Sequence, residues 1–269
     1  MLRIILDLVS LALLGSLVGF TGAFLGVGGG FILVPLLTLL FGLDPHHAVG
    51  TSLATIMFTG AFSASAYFRQ RRLDWRLGLL TEISTMPGGL AGSLLTAYVT
   101  SKELKNLFAI FLIILALSMI IREDYSRSKR EGKRVFPWKR SLRDSSGIEF
   151  EYQVDILKLL LMGILAGLAS GFFGIGGGVI KVPVLYNLGV PIHIAIATST
   201  FMITLTAFSG TIGHTILGHV LWIKVLGIVP GLLLGTRLGA RVAYKAESKI
   251  LRGCFSSVLM IMALLLLME

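Results

Sequence analysis

The chain has a single cysteine, Cys254, in 269 residues. A lone thiol excludes an intrachain disulfide and any cysteine-built zinc or iron–sulfur cage. Charge is scarce as well: 14% of residues are Asp, Glu, Lys or Arg, against 55% hydrophobic, and mean hydropathy is +0.86. A soluble domain of this size needs more polar surface to cover itself. No GxxxxGK(S/T) phosphate loop occurs, and the glycine runs miss the dinucleotide spacing, which would need glycine at Phe31 and Val179. The five histidines include no HExxH pair, and no Ser-His-Asp set can be assembled. These absences predict a protein that is not an enzyme and uses no metal and no cofactor.

What is present is apolar length. Stretches near 20 residues recur along the whole chain, each long enough to cross a bilayer's hydrocarbon core. The net charge of +10 would suggest nucleic acid in a soluble protein. Here most Lys and Arg gather in two loops and one helix end, so the charge reads as a topology signal and no nucleic-acid partner is expected. The first 23 residues, with Arg3, an apolar run and small residues near Ala23, mimic a signal peptide. That reading fails because the same theme returns in mid-chain.

The return is a repeat. GFTGAFLGVGGGFILVPLL (Gly19–Leu37) matches GLASGFFGIGGGVIKVPVL (Gly167–Leu185) without a gap. GTSLATIMFTGAFSA from Gly50 then matches ATSTFMITLTAFSG from Ala197, Trp75 pairs with Trp222, and Pro87 and Gly92 pair with Pro230 and Gly235. The predicted architecture is an all-α polytopic membrane protein of about ten helical segments in two five-segment repeats. The first repeat (1–121) carries segments at 3–25, 30–41, 46–69, 76–99 and 103–121; the second (156–269) carries 155–173, 178–188, 193–218, 222–245 and 249–268. The second segment of each repeat is too short to span: twelve residues rise ~18 Å against a core of about 30 Å. Residues 122–155, basic at first and then acidic and aromatic, read as a solvated cytoplasmic linker.

Charge placement orients the chain. Arg69, Arg71, Arg72 and Arg76, the basic part of the linker, and Arg237, Arg241, Lys245, Lys249 and Arg252 all belong on the cytoplasmic side. Five crossings per repeat satisfy this, with both termini outside, and an odd count makes the repeats inverted. Matching turns then carry opposite charge. The turn at Arg69–Arg76 is basic, whereas its counterpart GHTILGHVLW has no Lys or Arg; the turn at Ser101–Glu103 is sparse, whereas its counterpart near Lys245 is rich. Inverted repeats are a common transporter plan.

The candidate site starts from the glycine runs Gly26, Gly28, Gly29, Gly30 and Gly174, Gly176, Gly177, Gly178. Adjacent glycines stop a helix and let backbone approach a ligand, and the next helix starts with a positive dipole end suited to an anion. Close helix packing is the rival explanation. It suits Gly15/Gly19, Gly163/Gly167/Gly171 and Gly231/Gly235/Gly239, which have small-xxx-small spacing, better than runs of three. Lys181, opposite Leu33 in the repeat, either faces the anion or snorkels to the interface; the adjacent helix start favours the anion. Thr51, Ser52, Thr198 and Ser199 recur at matching positions and offer hydroxyls either to an anion or to backbone. Glu82 is a candidate proton carrier if it lies within the membrane. His46 and His47 read as part of the outer turn, and His193 and His214 as interfacial.

The motifs GVGGGFILVPLL with GTSLA and GIGGGVIKVPVL with ATST resemble those of the sulfite exporter TauE/SafE family, over nearly the whole chain. The resemblance implies a multi-pass plasma-membrane transporter of small anions, sulfite or organosulfonates such as sulfoacetate, working as an exporter. Expected partners are the small anion and the lipid bilayer, with a homodimer left open. A channel, or a membrane subunit without transport of its own, is the competing class. Ala197 in place of Gly50 is a mild departure from the repeat.

Overall fold

The computed structural model describes residues 2–121, 135–245 and 248–267. Its helices are α1 (Leu2–Leu25), α2 (Gly30–Phe41), α3 (Pro45–Arg69), α4 (Trp75–Leu95), α5 (Ser101–Ile121), α6 (Ile156–Phe173), α7 (Gly178–Asn187), α8 (Ile192–Ile216), α9 (Trp222–Lys245) and α10 (Ser248–Leu267). The segments expected from sequence are therefore all present as helices, and the chain is a helical, multi-pass membrane protein. Among the described residues, five helical stretches are long and apolar enough to cross a membrane: Asp7–Leu25, α3, α6, α8 and Trp222–Ala243. Helix starts follow local chemistry. Asp44, Asp74 and Asp155 each accept a backbone amide from the first turn of α3, α4 and α6, and Pro45 adds its fixed φ to α3.

The halves are interleaved. Helix α1 packs along α9, α4 along α6, α3 along α8, and α5 against α10. Glycine makes the first two seams. A Cβ on Gly19 would come 2.8 Å from Leu232 O, and one on Gly88 would come 2.8 Å from Ile164 O; Gly231, Gly235 and Gly239 abut the backbone of Ala12, Ser16 and Phe20, and Gly167 and Gly171 that of Thr85 and Gly89. These are the small-residue seams that membrane helices use to approach closely. The contacts also give direction. Residues ascend together along α1/α9 and α4/α6. In α3 and α8, which are repeat counterparts, Gly60 meets Thr200 and Thr204 whereas Gly210 meets Leu53, so the two run antiparallel.

The segment between the halves is a correction. Residues 137–155 are not a solvated linker but a β-hairpin: β1 (Pro137–Arg143) pairs antiparallel with β2 (Glu149–Asp155) in the register Pro137↔Asp155 to Arg143↔Glu149. Alternation explains it. Trp138 and Leu142 on one strand, and Phe150, Tyr152 and Val154 on the other, face a cluster of Leu77, Leu159, Leu185, Ile194 and Met202. The connecting turn is closed by Asp144, whose carboxylate accepts the Ser146 and Ile148 amides. The basic residues of 122–134, and the side chains of Lys245, Lys249 and Arg252, lie outside what is described.

The hairpin is pinned to the α3–α4 turn. Arg72 makes two bonds to Asp144 (3.0 and 2.8 Å), Arg140 makes two to Asp74 (both 2.8 Å), and Tyr152 Oη donates to Asp74 (2.6 Å). The opposite end of the bundle holds the rings of His46, His47, His214 and His219. His214 Nε2 donates to Gly171 O at 2.8 Å, and the Nδ1 atoms of His214 and His219 are 3.2 Å apart. His214, expected at the interface, is buried.

Candidate functional site at the paired helix breaks

Both glycine runs break the chain as their sequence requires. Gly26, Gly28 and Gly29 take φ of 71°, 82° and 86°, and Gly174, Gly176 and Gly177 take 71°, 69° and 76°. Side chains rarely adopt this left-handed region. Helices α2 and α7 then start at Gly30 and Gly178, and no side chain caps either start.

The two breaks meet at the middle of the bundle. Ile56 is near the centre of α3, and its counterpart Ile203 near the centre of α8. A Cβ on Gly28 would come 2.7 Å from Ile56 Cγ2 and 3.1 Å from Ile203 Cγ2; one on Gly176 would come 2.7 and 2.9 Å from the same two atoms. The breaks also touch each other: a Cβ on Gly30 would lie 2.6 Å from Gly174 O, and one on Gly178 2.5 Å from Val27 Cα. The two helix starts thus face one another, but backbone and the two isoleucines fill the space between them. In this conformation no anion fits there.

The hydroxyls picked from the sequence divide into two kinds. Thr51 Oγ1 accepts the Leu221 amide and Thr198 Oγ1 accepts the Asp74 amide, each at 3.0 Å. These are equivalent bonds: each threonine holds the turn that precedes the opposite half's α9 or α4. Ser52 donates to Gly174 O at 2.9 Å, tying α3 to the second break. Ser199, its counterpart, is fully buried, and its hydroxyl has no partner among the described residues; the same holds for Ser170 on α6.

The chemistry gathers beside the second break. Lys181, in the first turn of α7, is 2% exposed, and its ammonium donates to Glu82 Oε1 at 2.7 Å and to the Thr206 hydroxyl. Thr206 Oγ1 donates to Glu82 Oε2 at 2.7 Å, with Thr85 Oγ1 3.4 Å away. The ammonium's third hydrogen has no partner among the described residues. Three helices, α4, α7 and α8, therefore converge on one sealed ion pair. Gly177 makes room for it: a Cβ there would stand 3.3 Å from both Lys181 Cε and Ser170 Cβ. An ion pair this deep keeps its charges only while both partners stay together, because an unpaired buried charge is costly.

The sequence marks Lys181 and Glu82 separately and leaves Thr206, Thr85 and Ser170 unmarked. Threonine in a membrane helix usually bonds its own backbone, as Thr55 does to Thr51 O, so single residues carried no signal. The signal was relational: a lysine in one repeat and a glutamate in the other, both at membrane depth, need each other. Among the described residues, no three His, Cys, Asp or Glu side chains are grouped to hold a metal ion.

Comparison with known proteins identifies the family. The family described as sulfite exporter TauE/SafE matches residues 11–266. The chain belongs to that family. It is 32% identical to the probable membrane transporter protein YunE of Bacillus subtilis, over 98% of this chain and 96% of the relative. It is 29% identical to the probable membrane transporter protein MJ0441 of Methanocaldococcus jannaschii, over 96% and 94%. The TauE/SafE match extends to plants: sulfite exporter TauE/SafE family protein 6 of Arabidopsis thaliana is 24% identical over 72% of this chain and 64% of its own length. No solved structure matches. As a TauE/SafE protein the chain is a membrane transporter, and Lys181, Glu82 and Thr206 form a buried polar cluster among α4, α7 and α8.

Proposed function

We propose that this TauE/SafE protein is a secondary transporter of small sulfur-containing anions, sulfite or an organosulfonate, working in the direction of export. One observation carries the reading: the sealed Lys181–Glu82–Thr206 cluster abuts a glycine-broken helix start at mid-bundle. A buried ammonium with a spare donor in the first turn of an uncapped helix start, and two hydroxyls without a partner among the described residues, Ser170 and Ser199, supply what a tetrahedral or trigonal oxyanion needs. The antiparallel crossing of α3 and α8 and the seams joining each half to the other support an inverted repeat whose halves rock about the breaks. The filled space between the breaks then corresponds to an occluded stage, and separation of Gly28 from Gly176 admits the anion. Proteoliposomes loaded with sulfite, sulfate, thiosulfate, sulfoacetate or taurine test this. Saturable efflux of at least one sulfur anion is expected, and flux of none of them under any gradient would falsify it.

A further inference from the structure

We infer that a proton and the anion travel together, one for one, with Glu82 carrying the proton. The inference rests on the transporter reading and fixes the sign and stoichiometry of its coupling. Among the described residues Lys181 has one carboxylate counterion, Glu82, and both oxygens of that carboxylate are engaged, one by the ammonium and one by the Thr206 hydroxyl. A substrate anion that binds the ammonium takes the carboxylate's place. Ionised Glu82 cannot remain beside it, because the site is sealed and two anions would then share one cation. Among the described residues, the hydrogen-bond partners of Glu82 leave no other remedy: Lys181 comes from α7 and Thr206 from α8, with Thr85 of Glu82's own helix beside Thr206, and the hydroxyls carry no charge.

Counting charge gives the cycle. Empty, the site holds Lys181 as a cation and Glu82 as an anion, net zero. Loaded with a monovalent anion, it is again net zero only if Glu82 has taken up a proton. The anion with ionised Glu82 leaves the site net negative, and protonated Glu82 without anion leaves it net positive. Both are the states that a low-dielectric centre penalises. The two neutral states are the ones that can be carried across, so proton and anion move in the same direction. The other half supplies no second carrier. The counterpart of Lys181 is Leu33 and that of Thr206 is Thr59; the counterpart of Glu82 is Val225 counted from Pro230, or Val229 counted from Trp222. An outward anion gradient therefore drives export and drags protons out with it, and an acidic exterior opposes that export.

The test uses the full chain in proteoliposomes with isethionate and sulfoacetate. Sulfonates stay ionised across the working pH range, so any proton that moves is carried by the protein. Isethionate efflux is expected to acidify the exterior with one proton per anion and to ignore a valinomycin-clamped potential; sulfoacetate, a dianion that leaves the loaded site net negative, is expected to move far more slowly. Binding to the wild-type protein in detergent is expected to weaken tenfold per pH unit on the alkaline side. In Glu82→Gln, proton movement is abolished and the remaining anion exchange loses its pH dependence. Protons moving against the anion, or wild-type flux and binding that ignore pH, would overturn the inference and leave the transporter reading standing. Flux of no sulfur anion at all overturns the transporter reading and this inference with it.

Discussion

The two helix breaks share a backbone and differ in what surrounds it. Around the first, the positions are Val18, Gly22 and Leu33; around the second, the same repeat positions are Ala166, Ser170 and Lys181. The glycines adopt the same left-handed turns in both, and the same pair of isoleucines plugs both. Yet Gly29 packs on Val18, a Cβ there falling 2.6 Å from Val18 Cγ1, whereas Gly177 packs on the stem of Lys181. Trading Val18 for Ala166 and Leu33 for Lys181 turns an apolar wall into the seat of an ion pair. The repeat builds two equivalent cradles, and divergence puts the charge in one.

The sharpest way to break this difference is to erase it. Lys181→Leu alone copies the first half's residue but strands Glu82 in the core. An unpaired buried carboxylate costs about 3–5 kcal/mol, so a large drop in the detergent melting temperature and no transport are expected. Adding Glu82→Val removes the stranded charge. The double variant should melt at or above the wild-type temperature, since apolar replacement of a whole buried pair is often neutral or stabilising by about 1–4 kcal/mol. It should still carry no anion. If the double variant melted as low as the single one, the pair would be holding the helices together by more than its own charges.

The glycines sharpen the comparison at smaller magnitude. Gly29→Ala and Gly177→Ala each force a side chain into a left-handed backbone, worth roughly 1–2 kcal/mol. Gly29→Ala also collides with Val18, at 2.6 Å from Cγ1 and 2.7 Å from the carbonyl oxygen, whereas the nearest atom to a Cβ on Gly177 is 3.2 Å away. The first variant should therefore lose more stability, read by melting. The second should lose more transport for its loss of stability, because its new methyl presses on Lys181. Equal ratios of flux to stability in the two would remove the functional distinction between the breaks. Gly29→Leu and Gly177→Leu should both abolish transport while insertion survives.

How far the sequence led differs between elements for physical reasons. Helices and breaks were legible because each rests on local chemistry: apolar length, glycine runs, and prolines at equivalent places. The hairpin at 137–155 was missed although its alternation, WKRSL and FEYQV, is written in the chain. Its charge and polarity matched a solvated linker, and what folds it is tertiary: Arg72 and Asp74 of another turn pair with Asp144 and Arg140. The site was half legible. Burial made Lys181 and Glu82 conspicuous one at a time, but 99 residues separate them, and only the packing of α4 against α8 and α7 against α8 joins them. Thr51 and Thr198 recur at matching positions, and the recurrence reports a shared structural bond: both hold turns.

Those turns give the smallest expected difference between the halves. The α3–α4 turn carries Asp74. Burial works to raise its pKa, but the bonds from Arg140, Tyr152 and the Leu77 amide outweigh that and hold it below the usual carboxylate range. A carboxylate depressed in the folded state contributes stability that is whole above its unfolded pKa of about 4 and is lost as pH falls through the folded value. The matching α8–α9 turn has no acid and carries His219. Its pKa is lowered by burial first, and then by the nearby His46 and His47 rings. A histidine depressed on folding keeps its contribution above an unfolded pKa of about 6.5 and loses it as pH falls below that. Mild acid, near pH 5, should therefore loosen the histidine end while leaving the hairpin end clamped. Hydrogen exchange between pH 7.5 and 5 should rise for the amide of Leu221, which Thr51 holds, and stay flat for the amide of Asp74, which Thr198 holds. His219→Gln should remove the rise. Loosening of both turns together would mean that the acid acts on the bundle as a whole, and the two ends would no longer be independent.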